Sequence, residues 1–278
     1  MSVDLLKKPV LAVFVSVFTL LAALLAAPAP QAQAAERNLV AFGDSVLADP
    51  DMGTYLRDRL GGAFDQSPLG VDCPKGNNYA ARTGAKLGLP VRDFSCSGAA
   101  SMSPGPQISA QIDTAIARGA LNPSTARVVY ATGFNDTYNN ANLNRAQIRD
   151  KFVRFNRPLI NRIRAAAPNA RIQIVGYPTI GDGIHYCLIH AGSSWDRTPL
   201  PQVADFENKA QWMQVDLARA TGTEFIDMKP STRDAGMCGS DGNRKWAGLV
   251  DFNAGGGNLP LHVNARGHEH IANVLAAS

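Results

Sequence analysis

Four residues of this chain have the types that acyl transfer requires. Ser45 follows the apolar run Leu39–Phe42 in NLVAFGDSVLADP, Gly98 lies in SCSGA, Asn135 in GFND and His262 in HVNARGH. A serine hydroxyl can attack a carbonyl when a histidine takes its proton, and amide N–H groups can bind the oxyanion that forms. The four residue types therefore predict nucleophilic ester chemistry, with Ser45 as nucleophile and His262 as general base.

Strands and helices alternate along the chain and explain how these residues could meet. Apolar runs predict strands over 38–43, 91–95, 127–132, 171–176 and 223–227. Helical spacing predicts amphipathic helices over 77–88, 106–119, 144–167 and 203–221, and a last helix capped by Asn264. Such alternation predicts a mostly parallel sheet covered on both faces, and ligands bind at the carboxyl ends of its strands. Ser45, Gly98 and Asn135 each follow the end of a predicted strand.

The chain has 278 residues, of which 1–35 are expected to be a secretory signal peptide. Lys7 and Lys8 precede an apolar run from Val10 to Ala27, and AQA at 32–34 fits a cleavage site. A retained membrane anchor is the alternative. Residues 36–278 then form one domain that is secreted or associated with the cell envelope, without a stable membrane span.

Charge and motifs exclude several partners. Removing residues 1–35 takes away two lysines and one aspartate, so the net charge falls from +4 to about +3. This mild excess without a basic cluster argues against a nucleic acid partner. The sequence contains no P-loop and no G-x-G-x-x-G after the first strand, so no cofactor is predicted.

The four cysteines predict two disulfides in an exported chain. Cys73, Cys96, Cys187 and Cys238 allow three connectivities, of which nearest-neighbour pairing is the simplest. A metal site in HYCLIH is a weaker hypothesis, because no Cys-x-x-Cys pair accompanies it. We therefore predict no metal site.

The segments FGDS, SCSGA, GFND and HVNARGH, in this order, resemble the blocks of the GDSL or SGNH hydrolases. The resemblance implies an α/β fold of flavodoxin-like type, a three-layer α/β/α sandwich with a mostly parallel five-stranded sheet. It also implies an oxyanion hole formed by the backbone amides of Ser45 and Gly98 and the side chain of Asn135. The cysteines resemble those of the secreted actinobacterial branch, which bridges C…NYA to SCSGA and so implies a Cys73–Cys96 bond.

One position departs from the family pattern. The family usually has an aspartate three residues before the histidine, and Leu259 stands there. The ring of His262 still needs an acceptor to fix its tautomer. We expect the backbone carbonyl of Leu259 to serve, with Asn258 and Asp251 as alternatives.

The predicted function is that of a secreted serine esterase acting on lipid, acylated-glycan or small acyl esters. An acyltransferase with a non-water acceptor and a catalytically silent envelope-binding protein are the alternatives. Asp44 is expected to brace its loop and Asp136 to cap a helix. The loops 46–53 and 100–106 and the two long loops 178–202 and 228–261 are expected to line the site, with Tyr186, Leu188, Trp195 and Trp246 as walls.

Overall fold

The computed structural model describes residues 35–60, 72–191, 194–253 and 259–278. The predicted signal peptide, apart from Ala35, and Asn258 lie outside these residues. Glu36–Ser278 forms one compact unit. Within the described part of the chain, no helix is long and apolar enough to cross a bilayer.

Short strands and longer helices alternate. The described strands, in chain order, are β1 (Leu39–Gly43), β2 (Val91–Asp93), β3 (Arg127–Ala131), β4 (Arg171–Val175), β5 (His185–Tyr186), β6 (Ile189–Ala191), β7 (Ser194–Trp195), β8 (Thr198–Pro199), β9 (Glu224–Ile226) and β10 (Val250–Asp251). The helices are α1 (Ser45–Ala48), α2 (Met52–Leu60), α3 (Tyr79–Leu87), α4 (Ile108–Ala117), α5 (Phe134–Asn139), α6 (Arg145–Ala166), α7 (Pro201–Thr221), α8 (Lys229–Thr232) and α9 (Ala265–Ala277).

The central sheet has five parallel strands in the described residues, in the order β2-β1-β3-β4-β9. The predicted α/β class, strands and long helices are confirmed, most of them to within two residues of their ends. Leu39 pairs with Arg127 and Gly43 with Ala131, so β1 and β3 end side by side. The segments that carry Ser45 and Asn135 therefore leave the sheet at neighbouring points.

Both faces of the sheet are apolar because helices cover both. Val40 and Phe42 of β1 belong to the core cluster that α4, α6 and α7 complete. Leu39 and Ala41, which alternate with them, belong to the cluster on the opposite face, with α3 and α9. This arrangement explains why β1 is an unbroken apolar run rather than an alternating one.

Two disulfides hold the loops at the carboxyl edge of the sheet. Cys73 is bonded to Cys96 and Cys187 to Cys238, which is the nearest-neighbour pairing. The first bond ties the segment before α3 to the loop after β2, and the second joins the two long loops. Because Cys187 is in a disulfide, its thiolate is not a metal ligand.

The elements that the sequence did not predict are mostly short, but they also include the nine-residue helix α2. The short ones include the four-residue helices α1 and α8 and the two small sheets β10-β6-β7 and β5-β8. Strands of two or three residues are too short for an alternating pattern to reveal them.

Candidate active site

The predicted nucleophile lies where β1 ends. A Cβ on Gly43 would meet the carbonyl oxygen of Ala131 at 2.7 Å, so only glycine fits at the end of this strand. Asp44 then caps α1, its Oδ1 accepting a hydrogen bond from the Val46 N–H at 3.0 Å. Ser45 is consequently the first residue of a short helix at the rim of the sheet, and its side chain is only partly buried.

The Ser45 hydroxyl faces His262. Ser45 Oγ lies 2.8 Å from His262 Nε2, and the other ring nitrogen, Nδ1, lies 2.8 Å from the carbonyl oxygen of Pro260. Because a carbonyl oxygen can only accept, Nδ1 carries the proton of the neutral ring and Nε2 presents its lone pair to the hydroxyl. This is the tautomer that a general base requires.

The carbonyl that orients His262 belongs to Pro260, so the prediction of Leu259 is wrong by one residue. Leu261, between the acceptor and the ring, has a φ of +59°. This left-handed residue reverses the chain and lets the Pro260 carbonyl face the imidazole. Leucine rarely adopts this conformation because its Cβ crowds the backbone, and no pattern in the sequence predicts it.

The alternative acid, Asp251, is engaged elsewhere. Its two oxygens bind the buried guanidinium of Arg244 and accept hydrogen bonds from the backbone N–H groups of Gly248 and Asn253. Burial alone would raise the pKa of Asp251, but these hydrogen bonds lower it to about 2. Since both ring nitrogens of His262 have other partners, Asp251 stabilises the loop and does not orient the ring.

The environment of His262 favours the neutral ring. Burial lowers the pKa of His262 below its ordinary value of 6.5. The hydrogen bond to Pro260 and the negative charge of Asp49 partly oppose this effect, whereas His268 adds to it. At pH 7 the ring can therefore accept the Ser45 proton.

Asn135 lies at the same rim, in the first turn of α5, the helix that follows β3. It follows Gly133, whose φ is +131°, and its Nδ2 donates to the carbonyl oxygen of Ala99 at 2.8 Å. Gly98, with a φ of +83°, immediately precedes Ala99. The Tyr138 hydroxyl donates to Asn135 Oδ1 at 3.1 Å and fixes the orientation of the amide. The asparagine side chain thus contacts the segment that carries the predicted glycine donor.

Asp136 does not cap a helix, contrary to the prediction. It lies inside α5, and its carboxylate accepts hydrogen bonds from the N–H and hydroxyl of Ser101 and the N–H of Met102, at 2.8–3.0 Å. A carboxylate in the first turn can reach a neighbouring loop as easily as its own helix end. Asp136 therefore ties the loop after β2 to the first turn of α5.

Tyr177 is a site residue that the sequence analysis missed. Its hydroxyl donates to Asp44 Oδ2 and accepts from the Phe134 N–H at 3.2 Å. It links the turn before Ser45 to the first residue of α5. Burial raises the pKa of Asp44 to about 7, although the hydrogen bonds from Tyr177 and the backbone lower it and the charge of Asp136 raises it further. Asp44 braces its loop as expected. Tyr177 follows the end of β4, so the same strand-end rule could have found it.

A second histidine lies near the site without contacting the nucleophile. His268 is fully buried, its Nδ1 accepts from the Tyr79 N–H at 3.2 Å, and its Nε2 lies 3.0 Å from Asp49 Oδ2. Asp49 itself closes α1, where its N–H donates to the Ser45 carbonyl oxygen at 3.0 Å. The one histidine–carboxylate contact among the described residues therefore lies behind the nucleophile helix.

The expected aromatic walls are only partly present. Tyr186 and Trp246 are buried in the core and cannot line an open site, whereas Trp195 is half-exposed. His190 is also buried, with Nε2 2.8 Å from the carbonyl oxygen of Met237. The long loops are thus packed by their own side chains.

Comparisons with known proteins show the family and the fold of this chain. The model of the GDSL-like lipase/acylhydrolase family matches residues 41–270. The structure is similar to phospholipase A1 from Streptomyces albidoflavus, with a TM-score of 0.53 and 20% identity over 86% of this chain and 99% of that one. It is also similar to an extracellular lipase from Streptomyces rimosus, with a TM-score of 0.54 and 19% identity over 85% and 98% of the two chains. At these identities the structural likeness concerns the fold alone. A search of curated protein sequences gave no match.

Proposed function

Because the chain belongs to the GDSL-like lipase/acylhydrolase family and is a carboxylic ester hydrolase, we propose that it cleaves esters through an acyl-enzyme on Ser45. His262 acts as the general base. The observation that carries the proposal is the contact of 2.8 Å between Ser45 Oγ and His262 Nε2 in a ring whose other nitrogen is held by Pro260.

The reaction begins when Ser45 Oγ attacks the ester carbonyl while its proton passes to His262 Nε2. The tetrahedral intermediate collapses, the C–O bond to the alcohol breaks, and His262 returns the proton to the leaving alkoxide. Water then attacks the acyl-enzyme, again with His262 as base, and the carboxylic acid leaves Ser45. The Pro260 carbonyl stabilises the imidazolium as a dipole, without the full charge of an aspartate.

The negative oxygen of the intermediate needs donors that are already in place. We assign this role to the backbone amides of Ser45 and Gly98 and to Asn135 Nδ2. The amide nitrogen of Asn135 carries two hydrogens, and the bond to Ala99 uses one of them. Tyr138 supports the assignment, because its bond to Asn135 Oδ1 keeps the nitrogen side of the amide toward the loop of Gly98.

We also propose that the protein works outside the cytoplasm. Two disulfides in one domain are typical of exported proteins. The n-region, apolar run and AQA site of residues 1–35 support the same proposal.

A series of p-nitrophenyl esters from acetyl to palmitoyl tests the chemistry. We expect the protein without residues 1–35 to turn these esters over and Ser45→Ala to lose at least about 10³-fold in kcat. Ser124→Ala, which changes an exposed loop serine, is the matched control. Wild-type turnover that persists in Ser45→Ala would contradict the proposal. Added alcohols that raise p-nitrophenol release and yield new esters would indicate acyl transfer.

A further inference from the structure

We propose that an outward-facing apolar strip beside the active site docks on aggregated, uncharged long-chain esters, a proposal that rests on ester hydrolysis at Ser45. The strip consists of Ile189, Leu249, Val250, Phe252 and Leu261, whose exposed fractions lie between 38% and 78%. Scattered exposed apolar residues need no explanation, but a contiguous group of this kind marks an interaction surface.

The small sheet explains why the strip is contiguous. Val250 of β10 pairs in parallel with Ile189 of β6, so their side chains lie on one face. Phe252 is two residues beyond Val250, and its N–H donates to the His190 carbonyl oxygen at 3.3 Å, which keeps the chain beside β6. The alternate residues, Asp251 and His190, are buried. Strands β6 and β10 thus turn the polar side chains of His190 and Asp251 inward and the apolar side chains of Ile189 and Val250 to solvent, the reverse of the usual distribution.

The strip is continuous with the catalytic histidine. The Leu261 N–H donates to the Gly248 carbonyl oxygen at 3.1 Å, which places Leu261 beside the start of the strip at Leu249. Leu261 directly precedes His262, and the Ala247 N–H donates to the His262 carbonyl oxygen at 2.8 Å. A hydrocarbon chain on the strip is therefore close to the point where an ester meets Ser45.

An ion pair and a disulfide hold the strands that carry the exposed strip. Asp251 of β10 is paired with the buried guanidinium of Arg244, and the Cys187–Cys238 disulfide joins the loop of β6 to the loop before β10. Each apolar side chain held in water costs free energy that burial in hydrocarbon would recover. A rigid apolar surface therefore gains most free energy by binding a partner that requires no polar contacts.

The chemistry of the strip favours a lipid aggregate over the other ester sources. Its five side chains carry no charge and no hydrogen-bonding group. An acylated glycan would need such groups to bind its hydroxyls, and the strip does not provide them. The hydrocarbon of an ester aggregate can contact the apolar side chains of the strip. Binding of protein surfaces to such aggregates becomes stronger as more apolar area is buried. A second copy of this chain could also cover the strip, and the experiment distinguishes such a dimer from lipid binding.

The experiment compares Phe252→Ser with Phe155→Ser. Phe155 is a half-exposed phenylalanine on α6, so its replacement removes the same side chain outside the strip. Hydrolysis is measured on dispersed p-nitrophenyl palmitate and on dissolved p-nitrophenyl acetate. Binding to phosphatidylcholine vesicles is measured in the Ser45→Ala background. We expect Phe252→Ser to lose about tenfold in vesicle binding and in kcat/KM on palmitate, with acetate turnover unchanged and Phe155→Ser like wild type.

Several outcomes would overturn the proposal. Equal losses on both esters would show that Phe252 supports the site rather than docking, and an unchanged palmitate rate would show that the strip is not used. A wild-type dimer that Phe252→Ser dissociates in sedimentation velocity, without a change in vesicle binding, would assign the strip to a second copy. Failure of Ser45 chemistry is distinguishable, because acetate turnover would then not depend on Ser45.

Discussion

Two histidines, six residues apart in the last segment of the chain, have opposite sets of partners. His262 contacts the Ser45 hydroxyl but has only a backbone carbonyl on its other nitrogen. His268 lies 3.0 Å from a carboxylate, that of Asp49, but its other nitrogen accepts from the backbone of Tyr79. The elements of a serine–histidine–carboxylate site are thus present but divided between two rings.

The division shows what each contact contributes. A carboxylate beside a histidine stabilises its charge, but the ring can act as base only if its free nitrogen faces a hydroxyl. Orientation requires one acceptor at the correct atom, and a carbonyl is sufficient for it. The predictions below test whether the two histidines are as separate as their contacts indicate.

The largest effect is expected from His262→Gln. The amide cannot take the Ser45 proton, so kcat on p-nitrophenyl acetate should fall by about 10³–10⁴-fold. The free energy of unfolding, measured in urea, should change little because glutamine fills similar space. Turnover within tenfold of wild type would contradict the role of His262 as base.

The counterpart, His268→Ala, should act mainly on stability. The substitution leaves a cavity, an unpaired N–H at Tyr79 and a partly buried Asp49 without its neighbour, so the protein should lose about 2–4 kcal/mol in urea unfolding. We expect kcat at 15 °C to stay within a few-fold of wild type. A loss of kcat as large as that of His262→Gln, in protein shown to be folded, would place His268 in the catalytic machinery.

A third substitution returns the aspartate that the family usually has. Leu259 is buried, so Leu259→Asp should cost about 2–3 kcal/mol of unfolding free energy. No gain in kcat is expected, because Pro260 already holds His262 Nδ1. A rise in kcat together with a higher midpoint of the pH profile would show that the carboxylate can displace the carbonyl.

The difference between His262 and His268 also shows which features of the fold and of the site can be predicted from the sequence. The strands and long helices follow from apolar periodicity, and Ser45 follows from its place at a strand end, which are local signals. His262 is predicted from its residue type, its place before the last helix and the resemblance of HVNARGH to the family block. The acceptor of His262 depends on a left-handed leucine, a conformation against the propensity of that residue. Asp49 and His268 are far apart in sequence, and their contact depends on how α1 and α9 pack. The contact of Asp136 with the loop after β2 leaves no periodic pattern, so the sequence predicts a helix cap instead.

The pH profile should separate the two rings further. Because burial lowers the pKa of His262, kcat/KM should rise with pH through a midpoint below 6.5 and then level off as the ring loses its proton. A histidine with an unperturbed pKa would instead give a midpoint near 6.5. A midpoint above 6.5 for p-nitrophenyl acetate, with chemistry rate-limiting, would contradict the buried environment of His262.

The smallest effect, and the most specific, is expected from Asp49→Asn. The negative charge of Asp49 stabilises the His262 imidazolium, so its removal should lower the pKa of His262 and move the midpoint of kcat/KM to lower pH. The substitution should preserve the backbone, since Asp49 has a φ of +45° and asparagine tolerates this conformation. The plateau rate should stay near wild type. A midpoint that does not move would show that the charge of Asp49 does not reach His262, and a midpoint that moves to higher pH would contradict the stabilisation of its imidazolium by Asp49.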